Sequence, residues 1–111
     1  MIGGFILGGG NSVTSVALRG IGPSLSQSGL TDVLADPIVE LRDSNGALLV
    51  LNDNWQDDES QAAQLIAHGL APQSPLEAGI FYPLPPGAFT AILSGQNGGS
   101  GTGLVDIYNV P

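Results

Sequence analysis

The feature that most constrains this chain is its punctuation. Seventeen glycines and eight prolines are spread along 111 residues, and turn signals recur roughly every 8–20 residues. Intervals that short suit strands of about five or six residues, whereas isolated helices of that length are marginal. Hydrophobic residues make up 42% of the chain, enough to place it among globular domains. The sequence therefore reads as all-β and mainly antiparallel. We expect a β-sandwich or jelly roll of about seven to eight strands with one short helix, forming a single module over residues 1–111.

Individual segments sharpen this expectation. Ile2 to Leu7 is an apolar strand closed by Gly8-Gly9-Gly10-Asn11. Val13 to Arg19 alternates as a second strand and is broken at Gly20-Ile21-Gly22-Pro23-Ser24, because Pro23 has no amide hydrogen to donate. Ser26 to Asp36 reads as an irregular crossing, in which Thr31 can cap one helical turn. Ile38 to Asp43 and Ala47 to Asn52 form a hairpin whose Asn45-Gly46 pair tolerates the positive φ of a two-residue turn. Asp57 to Gly69 is the one helix. Asp58 caps it with Gln61 three residues on, Ala62, Leu65, Ile66 and Leu70 share a face, and Gly69 suits the C′ position. Ala78 to Tyr82, Ala88 to Ser94 and Gly103 to Val110 are the closing strands, with Phe89, Ala91 and Leu93 facing one way.

Charge removes several classes of function. The two cations, Arg19 and Arg42, stand against ten carboxylates for a net charge of −8. Such a chain cannot neutralise a phosphate backbone or dock on anionic headgroups, and no apolar run reaches the ~18–20 residues of a membrane span, so we expect no nucleic-acid partner and no membrane insertion. The absence of cysteine excludes disulfides and thiolate chemistry. Ser24 lacks the glycine setting of a nucleophile elbow, and Gly8-Gly9-Gly10 leads into a strand where a phosphate loop needs a helix. A zinc site built on the single histidine, His68, is disfavoured. We expect no enzyme.

The densest set of hard oxygen ligands is Asn52-Asp53-Asn54-Trp55-Gln56-Asp57-Asp58-Glu59. Asp53, Asp57 and Asp58 are candidate ligands for Ca2+, although the spacing is not that of an EF-hand. The competing account is local: Asn52 and Asp53 shape a turn while Asp57 and Asp58 serve the helix N-terminus. Trp55 is either a platform for a sugar ring or the cover of a helix–sheet junction, and burial is the commoner fate of a large aromatic. Tyr82 and Tyr108 carry the same two readings. Arg19 and Arg42 each invite a carboxylate partner, with Asp43 and Asp106 the nearest candidates in kind.

Two stretches carry a resemblance. Asp36-Pro37-Ile38-Val39-Glu40-Leu41-Arg42-Asp43-Ser44-Asn45-Gly46 with Asn52-Asp53-Asn54-Trp55, and Leu84-Pro85-Pro86-Gly87-Ala88-Phe89-Thr90-Ala91-Ile92-Leu93-Ser94-Gly95 with Gly101-Thr102-Gly103-Leu104-Val105, resemble the hairpin and closing strands of bacterial pre-peptidase C-terminal-like β-sandwich modules. Arg19-Gly20-Ile21-Gly22-Pro23-Ser24-Leu25 resembles a related repeat of long exported bacterial surface proteins. The helical segment from Asp57 to Gly69 departs from the simplest such pattern. The resemblance implies a non-catalytic extracellular or cell-surface module, a fragment or repeat of a larger protein whose export signal lies outside this chain. Low charge and strand edges further suggest self-association into fibres or domain arrays. Ile2, Phe5, Ile6 and Leu7 are the candidate contact residues, in a strand able to complete another copy's sheet. The alternative is a calcium-stabilised accessory module that binds polysaccharide or protein.

Overall fold

The computed structural model describes residues 1–8 and 13–110. The Gly9–Asn11 part of the first expected turn, and Pro111, lie outside the described residues. Among these residues, seven strands form two antiparallel sheets, one of four strands and one of three, packed as a sandwich with one short α-helix. The strands are β1 (Ile2–Leu7), β2 (Thr14–Ile21), β3 (Pro37–Asp43), β4 (Leu48–Asn52), β5 (Ala78–Leu84), β6 (Gly87–Gly95) and β7 (Leu104–Val110). The larger sheet has the order β1-β6-β3-β4 and the smaller the order β5-β2-β7.

The core follows from the alternation of side chains along each strand. Val16 and Leu18 of β2, Val39 and Leu41 of β3, Ile80 and Leu84 of β5, and Phe89, Ala91 and Leu93 of β6 meet between the sheets. Strand β2 is buried on both faces, because Ala17 points the other way, into a second cluster with Trp55, Ala62 and Leu65. That second cluster seats helix α1 (Glu59–Ala67) on the outside of the smaller sheet. Gly79 makes the close approach: a Cβ there would lie 2.8 Å from Leu65 Cδ1 and 2.9 Å from the Trp55 Cβ.

The helix ends are built as the sequence suggests. Asp58 accepts from the Gln61 amide at 3.0 Å. At the other end the Leu70 amide donates to Leu65 and the Gly69 amide to Ile66, with Gly69 at φ 71°, a Schellman stop. Three local expectations are corrected. Ile66 is exposed; the buried stripe is Ala62 and Leu65, with Leu70 half-buried. The hairpin turn uses positive φ only at Gly46 (81°). Asp43 holds the turn, its side chain accepting from the amides of Asn45 and Ala47 (2.9 Å each), so the loop is a type I turn with a glycine bulge. The helical turn of the crossing segment is not at Thr31 but at Pro23–Ser28, a 3-10 helix with Pro23 in its first turn, where a fixed φ suits helix entry.

Candidate functional site

The acidic loop after β4 is divided between structural duties and an unsatisfied pair. Asp58 is the helix cap, and its carboxyl is held below its ordinary value chiefly by the Gln61 backbone N–H. Asp57 is exposed at the turn before the helix. Asp53 instead faces Asp36, which lies at the entry to β3. Burial first, then the neighbouring Asp36 carboxyl and the charge of Asp57, push the Asp53 carboxyl above its ordinary value. Asp36 Oδ1, Asp53 Oδ1 and Asn54 Oδ1 are all buried without a hydrogen-bond partner among the described residues. No group of three or more His, Cys, Asp or Glu side chains is arranged to hold a metal ion among those residues. Asp53, Asp57 and Asp58 thus form no such group, although the charge of Asp57 reaches Asp53, and the carboxyl that Asp53 meets, Asp36, lies just before β3.

Trp55 is buried at 7% exposure, and its indole Nε1 donates to the Ser74 carbonyl at 3.2 Å. It covers the helix–sheet junction and offers no exposed ring face. Tyr108 is exposed, with its hydroxyl and ring engaged by Arg19. Arg19 pairs in fork geometry with Asp106 at 3.0 and 2.7 Å, which raises the arginine pKa. Arg42 pairs with Glu40, two residues away and on the same face of β3. His68 caps the helix C-terminus and stacks on Phe81 with centroids 5.4 Å apart.

A buried acid that the sequence does not single out organises the region before β5. Glu77 is fully buried. Its Oε2 accepts from the Gly22 amide (2.9 Å), the Ser24 amide (2.9 Å) and the Ser24 hydroxyl (2.6 Å), while Oε1 accepts from the Ser74 amide (3.1 Å). The carboxylate thereby satisfies N–H groups at the start of the 3-10 helix that would otherwise be orphaned. The only signal for it in the sequence is a lone acid inside Pro75-Leu76-Glu77-Ala78-Gly79-Ile80.

The sheet edges differ sharply. On β5, the backbones of Gly79 and Phe81 face away from β2, since residues of alternate parity carry the ladder. The Gly79 amide donates to Asn52 Oδ1 and the Phe81 amide to Gln61 Oε1, both at 2.9 Å. The next residue of that parity is Pro83, which has no N–H to offer. The outward amides of this edge are therefore closed. The outer edges of β1 and β4 receive no such caps from the described residues. They also carry no charged side chain. Ile2 (71% exposed) and Ile6 (81%) flank the β1 edge, and Leu48 (47%) and Leu51 (51%) flank the β4 edge. Of the other candidate contact residues in β1, Leu7 is buried and Phe5 stacks on Phe89 at 5.7 Å, so the strand is docked in its own sheet.

Comparison with protein-family models, with curated proteins and with solved structures found no match to this chain.

Proposed function

We propose that this chain is a non-catalytic structural module of an exported protein, joining copies of itself or neighbouring domains through the edges of its four-stranded sheet. The observation that carries this reading is the contrast between edges. An uncapped, uncharged strand edge flanked by exposed aliphatic side chains is a template for another strand, and among the described residues this sheet has two, at β1 and β4. The resemblance to modules of secreted bacterial proteins supports the extracellular setting. Sedimentation velocity over a wide concentration range, with electron microscopy of any fast fraction, tests it. Species that grow with concentration are expected; a monomer at every concentration would refute the proposal.

A second reading, calcium stabilisation, is favoured by the three unpartnered buried oxygens of Asp36, Asp53 and Asn54. A hard cation would be held by oxygen ligands of this kind and would cancel the repulsion between the two carboxylates. Millimolar calcium is then expected to raise the melting temperature relative to chelator. Equal melting in the two conditions would discard it.

A further inference from the structure

Strand direction says which edge meets which. Every pairing in the larger sheet is antiparallel. With four strands in the order β1-β6-β3-β4, the two outer strands run in opposite directions. A copy moved along the sheet, without being turned over, brings its β4 beside β1 of the first in the antiparallel sense. The alternation of strand direction then continues unbroken from one copy into the next. The smaller sheet has three antiparallel strands, so its edges β5 and β7 run parallel to one another. The same displacement there would juxtapose parallel strands, and one of the two, β5, already has its outward amides closed.

From this, resting on the self-association proposed above, we infer that copies of this chain join head to tail, β1 of one against β4 of the next, to make one continuous antiparallel sheet. The partner is a second copy of the chain. The edges match in length, six residues in β1 and five in β4. They also match in chemistry. Following the registers across the sheet, Ile2 shares a row with Ile92, Glu40 and Leu51. Gly4 shares the next with Thr90, Arg42 and Leu48. Ile2, Ile6, Leu48 and Leu51 thus stand on one outer face, so a β1–β4 junction places isoleucines beside leucines as cross-strand neighbours. The charges on these rows, Glu40 and Arg42, are paired with each other within the chain and stay clear of the junction. Such a contact is heterologous: using one edge leaves the other free, so growth is linear. The ordinary twist between strands makes the product helical.

Two double variants and their mixture decide the question by sedimentation velocity. Ile2→Lys with Ile6→Lys charges the β1 edge, and Leu48→Lys with Leu51→Lys charges the β4 edge. All four positions are exposed, and native far-UV circular dichroism is verified for each variant. If a double variant does not fold, Ile6→Lys and Leu51→Lys alone carry the same test. The unmodified chain is expected to form long species, and each variant alone is expected to remain monomeric. Their equimolar mixture should form two-chain species and nothing longer, because each blocked edge then has an open counterpart on only one side. A variant that still dimerises by itself, or a mixture that stays monomeric while the unmodified chain assembles, overturns the head-to-tail pairing and leaves self-association standing. A monomeric unmodified chain at every concentration overturns both.

Discussion

The β5 edge and the β1 and β4 edges solve the same physical problem in opposite ways. An outer strand has backbone donors and acceptors with no ladder partner, and these need partners of some kind. On β5 the partners are internal: Asn52 at the end of β4 and Gln61 in α1 reach the Gly79 and Phe81 amides, and Pro83 removes a third donor. On β1 and β4 the outward groups meet no partner among the described residues. The comparison shows how polar residues in this chain can look functional while acting as edge caps. Asn52, from the acidic loop, and Gln61, from the expected capping box, both belong to that class.

The largest effect is expected at the foot of the closed edge. Glu77→Ala would strand the Gly22 amide in a buried setting and the Ser24 and Ser74 amides in part-buried ones. Each buried donor left unsatisfied costs about 1–3 kcal/mol. Urea unfolding should therefore show a loss of roughly 2–4 kcal/mol. Glu77→Gln keeps one acceptor oxygen and should lose less. Equal losses for the two variants would mean that packing, and not the hydrogen bonds, holds this corner.

A smaller effect is expected from opening the β5 edge itself. Gln61→Ala frees the Phe81 amide and Asn52→Ala the Gly79 amide, each at a cost of about 1–2 kcal/mol in chemical unfolding. If β5 is kept from pairing by these caps, the double variant should also gain a new self-association that lysines on β1 and β4 do not suppress. Association suppressed by those lysines would show that the caps serve folding alone.

What was legible in the sequence follows from range. The sandwich class, the hairpin, the helix cap at Asp58 and the stop at Gly69 are local patterns of turn residues and periodicity, and the structure contains them. The inward set Phe89, Ala91 and Leu93 was equally visible because alternation is a local property. The helical turn forms at Pro23–Ser28 and not at Thr31 because its support comes from Glu77, more than fifty residues away in the chain. For the same reason no local pattern links Asp36 to Asp53: only the pairing of β3 with β4 brings the two carboxyls together. Edge identity is wholly a matter of strand order, which no local pattern encodes, so the openness of β1 and β4 needed the topology.

The smallest predicted effect lies beside the β4 edge, where Asp36, just before β3, meets Asp53, just after β4. The Asp53 pKa is raised in the folded state. The stability contributed by this group is therefore present while it is protonated and is lost as pH rises through its folded pKa. Asp58, whose pKa is lowered, acts in the opposite sense and loses its contribution as pH falls. Asp53→Asn fixes the uncharged form and removes the repulsion with Asp36. Without calcium, the variant should melt above the parent at pH 7, and the gap should close as pH falls below the carboxylate range. With millimolar calcium the order separates the two uses of the pair. A bound cation would stabilise the parent and not the variant, so the gap at pH 7 should narrow or reverse. A gap unchanged by calcium leaves a strained carboxyl pair that lowers stability at the β4 margin, next to an edge proposed to receive another chain.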